Sequence, residues 1–549
     1  PTTRSLQARA TAPKASAWVS ANAGSGKTFV LARRVVRLLL EGAEPSSILC
    51  LTFTKAAAAE MSSRVFAILS AWTRLTDDAL DAEILALDGM PPDRARRDRA
   101  RRLFARALET PGGLKIQTIH AFCERVLHQF PFEANVAGRF EVLDERGAAM
   151  LAEETRRAVI AHAATDDGPL GDAFATVLGA ASDQGIEEAL AAIVAKRDEL
   201  RAWSRREGSL DRALAALRRT LGLEPGETAE TIWPRLLDEV EGGRAFLVRL
   251  RDVAAASDKQ NDRKCAEKLS LILSETEASA AGEDYYDFYR TSGNGWRKPN
   301  AIMTKSVKAR LPGLEDFFTR EIARVEAPMD RIFAAYSYAA TAALLRLGDT
   351  AIAAYEAQKR ARGVLDFQDL VTRTADLLAR SGAAAWVQYK LDRGISHILV
   401  DEAQDTSPRQ WQVVERLAEE FFAGEGAVER VRTLFAVGDE KQSIYSFQGA
   451  VPAWFGRQRR HFRGRAENAR ATFEDVALHL SFRSTEAVLS AVDAVFEPAD
   501  AHRGLSQEDQ PTVHEAHRRG EPGTVTLWPP IAAEKIEEVY AFFPRLAER

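Results

Sequence analysis

The sequence predicts an α/β fold in which a parallel sheet flanked by helices carries a phosphate-binding loop and is interrupted by a large all-helical insertion. Three observations predict it. Short apolar runs such as Ile48–Phe53 (ILCLTF) and Ile395–Val400 (ISHILV) read as strands covered on both faces. Two strands run straight into polar loops, the glycine-rich, phosphate-binding SANAGSGKT at Ser20–Thr28 and the acidic DEAQDTS at Asp401–Ser407. From Asn135 to about Arg362 strand runs disappear and alanine, leucine, arginine and glutamate dominate, as in a helical domain.

The chain has 549 residues, of which 46% are hydrophobic, enough for three or four domains with sizeable cores. Its formal net charge of −5 offers no global attraction for nucleic acid, so any such binding needs a local groove. Cys50, Cys123 and Cys265 lie far apart, which argues against a disulfide framework or zinc site and for small buried side chains. No apolar run approaches the length of a membrane span, and PTTRSLQARATAPK lacks a secretory core, so a cytoplasmic location without membrane contact is expected. The chain starts without methionine and ends in an amphipathic stretch, IEEVYAFFPRLAER, which suggests a piece of a longer polypeptide.

Taken in order, Gln7 stands upstream of the first loop, where its amide could meet an adenine edge or simply face solvent. In the loop Ala21, Asn22, Ala23, Gly24, Ser25, Gly26, Lys27 and Thr28 form the phosphate cradle. Gly24 and Gly26 permit a tight turn that aims backbone N–H groups inward, at the start of a helix. Lys27 supplies a cation for β/γ-phosphates and Thr28 a hydroxyl for Mg²⁺. The one departure from G-x-x-x-x-G-K-[ST] is Ala21 in the first position. The helix Val30–Leu40 and strand Ile48–Phe53 complete a βαβ unit, after which Thr54 and Lys55 stand at a strand's carboxyl end, where open sheets bind ligands. The arginine-rich run Arg94–Arg106 reads as a solvated helix or a nucleic-acid contact.

Leu114–Thr118 is a third strand. In the insertion, Tyr285–Arg310 mixes aromatics with cations, a pattern of single-strand platforms or of a packed loop with a basic rim. After Ile395–Val400, Asp401 is placed to hold Mg²⁺ through water and Glu402 to orient or deprotonate the attacking water. The strand Leu434–Val437 leads to Gln442, within reach of a γ-phosphate, and to Tyr445 and Phe447, which alternate as stacking or core rings. In HLSFRS, Phe482 could stack on a base and Arg483 reach a phosphate. A final strand is expected at Gly523–Trp528.

Six stretches, SANAGSGKT, LTFTKAAAAEMSSRV, IQTIHAFCERVL, LVDEAQDTS, LFAVGDEKQSIYSFQGA and LSFRSTEAVL, resemble in order the motifs of superfamily 1 helicases of the UvrD/Rep family. WVSANAGSGKT, QFPFEA and RGVLDFQDL, with the long insert between them, add a finer likeness to the AddA-type helicase–nuclease subunits; RecB-type chains are near neighbours. The resemblance implies a RecA-like P-loop NTPase and an ATP-dependent, 3′-to-5′ DNA helicase acting in double-strand break repair, with an AddB-like partner. It implies Gln7 and Phe482 at the adenine, Lys27 and Thr28 at phosphates and Mg²⁺, and Asp401 and Glu402 in hydrolysis. Gln442 and Arg483 would sense the γ-phosphate, while Thr54, Lys55, His120, Phe122, Tyr445 and Phe447 would line single-stranded DNA. Phe447 departs from the tryptophan of many relatives, and opening the loop with alanine, as Ala21 does, is common in the group.

The domain expectation is a RecA-like ATPase domain in two parts, 1–134 and 386–465, around a helical insertion, 135–385, with an incomplete second RecA-like domain from 466 to 549. The family's later motifs and AddA's nuclease are not found before Arg549, so this chain would hydrolyse ATP weakly by itself. Two other classes remain: a P-loop enzyme acting on small molecules, whose ATPase would ignore added oligonucleotide, and a DNA- or partner-binding scaffold with a vestigial site.

Overall fold

The computed structural model describes residues 3–293, 295–379, 386, 387, 390, 391, 394–422, 431–446, 449–505 and 512–532. It divides into two compact units, Pro1–Phe140 with Phe367–Arg549, and Glu141–Asp366. The strands are β1 (Ser16–Ala21), β2 (Ile48–Thr52), β3 (Lys115–Thr118), β4 (Glu141–Val142), β5 (Val364–Leu365), β6 (His397–Val400), β7 (Thr433–Gly438), β8 (Phe473–Leu478), β9 (Leu480–Thr485) and β10 (Glu515–Arg518).

The first unit is built on a six-stranded sheet in the order β3-β2-β6-β7-β1-β8, every pair parallel. All six carboxyl ends therefore lie along one edge. Alternation along β1 divides its side chains between the two faces. Ala17, Val19 and Ala21 join the core formed with α2 (Lys27–Leu40), while Trp18, fully buried, stacks on Trp411 at 5.7 Å and meets Phe455 at 4.9 Å. The cysteines are free and buried.

Beneath the sheet, Arg34 of α2 is fully buried without an acid partner among its hydrogen bonds. Its guanidinium donates to the carbonyls of Ala10, Ala12 and Ala15 and to Thr433 Oγ1. Thr433 Oγ1 also meets His397 Nδ1 at 2.8 Å. Burial, then the charge of Arg34, pushes the His397 pKa down to about 4. An unfolded histidine titrates near about 6.5, so between these values the unfolded chain binds the extra proton. Acidification from about pH 6.5 toward about 4 should cost up to about 3 kcal/mol of stability through this residue alone. Urea midpoints at pH 7 and 4.5 should differ less for His397→Asn than for the native chain; equal differences would contradict this.

The arginine-rich run is helix α5 (Arg94–Glu109), which follows α3 (Lys55–Trp72) and α4 (Asp77–Asp88), and several of its arginines are engaged in ion pairs. Arg96 pairs with Glu41 and Asp88, Arg97 with Asp77 and Asp81, Arg101 with Asp77, and Arg106 with Glu44. The run fastens α5 to its neighbours, the solvated-helix reading.

Strand β8 was not expected from the sequence. FEDVAL carries two acids because it is an edge strand, and Glu474 meets Arg9 of helix α1 (Thr3–Ala10) at 2.6 Å. The sheet thus extends past residue 465, where the first domain was expected to stop. β9 and β10 pair in a separate two-stranded sheet. The expected strand at Gly523–Trp528 is not formed; Leu527 and Trp528 are exposed in irregular chain, without strand neighbours among the described residues. The terminal amphipathic stretch from residue 533 lies outside the described residues.

The second unit is helical, closed at its base by β4 pairing with β5 in parallel. It is narrower than the expected insertion 135–385, because the helix Phe367–Ala379 packs in the first unit against α6 (Ile119–Gln129), with Thr374 Oγ1 donating to the Cys123 carbonyl at 3.5 Å. Tyr285, Phe288 and Tyr289 are core residues, and the Tyr285 hydroxyl donates to Glu321 at 2.7 Å. Trp296 Nε1 donates to Glu326, and the Arg290 guanidinium covers the Trp296 ring. This stretch is packed interior with a basic rim.

Candidate functional site

At the carboxyl edge of the sheet, the loop after β1 wraps a cavity of about 440 Å³. Gly24 and Gly26 both have left-handed backbones, φ 74° and 86°, as the tight turn requires. Gly24 answers a second demand: a Cβ there would stand 2.5 Å from Arg483 Cβ and 2.8 Å from Ser481 Oγ, so the loop lies directly on β9. The Phe482 N–H donates to the Gly24 carbonyl at 2.8 Å, holding that contact. Ala21 ends β1 and is buried, Ala23 is exposed, and Ser25 Oγ donates to the Asn22 carbonyl. The Asn22 side chain accepts from Lys441 Nζ at 2.9 Å and donates to the Val513 carbonyl at 3.2 Å.

Lys27 opens α2, whose N-terminal N–H groups face the loop. Its Nζ donates to Glu402 Oε2 at 2.7 Å and to Gln442 Oε1 at 3.3 Å. Three motifs separated by 375 and 415 residues thus converge on one ammonium. Supporting bonds fix each partner. Glu402 sits at φ 46°, a left-handed turn that is costly for a side chain bearing a Cβ and is retained here where β6 must end abruptly. Gln404 donates to Glu402 Oε2 and accepts from the Asp439 N–H, tying β6 to β7. Gln442 Nε2 donates to Asp439 Oδ2 at 2.6 Å, which turns its Oε1 toward Lys27.

Asp401 is 7% exposed and accepts from the Glu402 N–H at 3.0 Å. Burial, reinforced by the adjacent Glu402 charge, raises its pKa to about 7. Thr28, Phe482 and Arg483 line the cavity with Lys27, Glu402 and Gln442; Asp401 lies behind Glu402, outside the lining. Gln7 does not line it either, and sits half-buried on α1 with its carbonyl capping Thr11.

Two lining residues escaped sequence reasoning. Arg64, on α3 and paired with Glu60 at 2.6 Å, reaches the cavity, and Phe29 stands in the first turn of α2. Neither belongs to a spacing that singles it out; only the rotation of a helix starting at the site edge brings them in.

The expected strand-lining residues lie toward the other end of the same edge. Thr54 and Lys55 are exposed after β2, with Thr54 Oγ1 capping α3 by accepting from the Ala57 N–H. Tyr445 is half-buried and its ring meets Phe53 at 4.4 Å. His120, after β3, lies edge-on to Phe367 at 5.5 Å, and burial lowers its pKa. Phe122 is a correction: at 3% exposure it packs α6 into the core with Cys123 and Val126, and its ring is not open to a base. Phe447 lies outside the described residues.

Among the described residues no helix is long and apolar enough to cross a membrane. The family described as UvrD/REP helicase N-terminal domain matches residues 2–289 and 318–463. The chain is 27% identical over 516 residues to an ATP-dependent helicase/nuclease subunit of Pelotomaculum thermopropionicum, covering 87% of this chain and 37% of that protein. It is 26% identical over 515 residues to the protein so named in Latilactobacillus sakei, covering 87% and 53%. With the protein so named in Enterococcus faecalis it shares 27% over 515 residues, covering 87% and 37%. The chain thus spans between about a third and about half of the length of these relatives. With the family matched across most of its length and the family's motifs converging on one cavity, the chain belongs to the UvrD/REP helicase N-terminal domain family.

Proposed function

We propose that this chain is the ATP- and DNA-binding portion of an AddA-like helicase–nuclease. It hydrolyses ATP to move along single-stranded DNA, 3′ to 5′, in the cytoplasm, in double-strand break repair with an AddB-like partner. The observation that carries the reading is the meeting of Lys27, Glu402 and Gln442 under the glycine loop. Lys27 holds the β- and γ-phosphates together with the loop N–H groups, Glu402 orients and deprotonates the attacking water, and Gln442 and Arg483 respond to the γ-phosphate. Phe482 faces the base. The hard oxygen donors of Thr28 and Asp401 suit Mg²⁺ taken partly through water, and the ion when bound would neutralise phosphate charge. Burial of the Asp401 carboxyl, with a pKa of about 7, is consistent with a site that a cation completes.

On the β2 and β3 side of the edge, Thr54, Lys55, His120 and Tyr445 form the track, with Phe447 adjoining in sequence. Tyr445 follows Gln442 by three residues, so a γ-phosphate that shifts Gln442 shifts the ring that grips a base. Stacking on an aromatic contributes about 1–3 kcal/mol per base. Tyr445→Ala should weaken binding of a fluorescent thymidine oligonucleotide roughly tenfold, while Tyr445→Phe keeps most of it. Equal affinity of both variants and the native chain would remove Tyr445 from the track.

A further inference from the structure

The phosphate-loop pattern leaves the position of Asn22 open, yet its side chain is buried and bonded on both sides. An ammonium can only donate and a carbonyl only accept, so both partners select one amide orientation, Oδ1 toward Lys441 Nζ at 2.9 Å and Nδ2 toward the Val513 carbonyl at 3.2 Å. Each partner is fixed in turn. The Lys441 N–H donates to Asp439 Oδ1 at 3.2 Å and its ammonium stands 3.8 Å from the same oxygen, while Asp439 Oδ2 accepts from Gln442 Nε2 at 2.6 Å. Val513 precedes His514, whose N–H and Nδ1 meet the two oxygens of Asp493 at 3.0 and 2.6 Å. Asp493 lies on the helix Glu486–Phe496, which follows β9 directly. One buried amide thus joins the phosphate loop to the turn that carries Gln442 and to the chain beyond β9.

We infer that Asn22 and Lys441 are positioning residues, a latch that sets Gln442 against the γ-phosphate and ties that setting to the chain beyond β9. The inference rests on the proposed ATP site and adds to it the side chains that hold its sensor. Gln442 registers a γ-phosphate only if the Asp439 turn keeps its place relative to the loop, and the Asn22–Lys441 bond spans the two. Neither residue lines the cavity, so the latch stays closed when phosphates draw Lys27 away from Gln442. Opening it leaves a buried amide without its charged partner, a change felt at the turn rather than in the loop N–H groups.

The test titrates the 549-residue chain with Mg-ADP and with Mg-AMPPNP, a non-hydrolysable triphosphate, and reads the ratio of the two affinities. Asn22→Ala should lower the preference for the triphosphate about three- to tenfold, Lys441→Met should lower it as much, and the double variant should lose no more than either alone. Lys441→Arg, which keeps the donor and the charge, should restore most of the preference. An equal loss for both nucleotides in Asn22→Ala overturns the inference and makes Asn22 a support of the loop. Additive losses overturn it too, as does a loss confined to Lys441→Met, which would make the ammonium a distant counter-charge for phosphate. If Asn22→Ala melts below the native chain, Lys441→Met and Lys441→Arg decide by the same ratio, since Lys441 is only partly buried. A native chain that binds neither nucleotide marks failure of the ATP site itself, whereas one that binds both equally leaves that site standing and overturns the latch.

Discussion

Lys27→Ala should lose Mg-ATP affinity by about 10- to 100-fold and reduce any ATP turnover by a factor on the order of 10²–10³ or more. The ammonium bonds both Glu402 and Gln442, at 2.7 and 3.3 Å, and its side chain is only 11% exposed. Charge-assisted bonds in so closed a setting are worth about 1.5–3 kcal/mol each. Removing the ammonium takes away the counter-charge for the phosphates and leaves Glu402 facing them. Single-stranded DNA binding should be largely retained, because Thr54, Lys55 and Tyr445 lie on the far half of the sheet edge. Isothermal titration with Mg-ATP and anisotropy with a thymidine oligonucleotide separate the two effects; undiminished hydrolysis in this variant would contradict the assignment.

Glu402→Gln should give the opposite division. Without ligand, Glu402 is bound to Lys27 and must release it before the ammonium can engage phosphate. Glutamine preserves the shape and an acceptor oxygen but not the charge, so Lys27 is freed more readily. Mg-ATP affinity should be equal to or higher than that of the native chain, while turnover falls by about 10²–10⁴ with loss of the general base. The left-handed backbone at Glu402 tolerates the exchange, since both residues carry the same Cβ. A paired loss of affinity and turnover would place Glu402 in phosphate binding instead.

The nucleotide half of the site was legible in the sequence because its chemistry is tied to local turns. A glycine pair at left-handed φ, a lysine and a hydroxyl can only be consecutive, and a strand ending in Asp-Glu announces itself by its apolar run. What spacing could not supply was depth. Phe122 stands two residues from His120 in the same motif, yet helical rotation sends one ring into the core and leaves the other partly open. β8 stayed hidden because an edge strand can carry Glu474 and Asp475 where a central strand cannot. Phe29 and Arg64 were unreadable for a related reason: their roles depend on where α2 and α3 start relative to the cavity, a tertiary fact. The basic α5 and the aromatic stretch of the second unit show the converse, since patterns suggestive of nucleic acid proved to be ion pairing and packing.

Coupling between the Lys27 site and the strand track is the central claim, and the most direct measurement is ATP hydrolysis by the native chain with and without a thymidine oligonucleotide. Turnover should rise on adding the oligonucleotide, and the rise should vanish in Glu402→Gln and shrink in Tyr445→Ala. Hydrolysis that ignores the oligonucleotide would contradict the coupling.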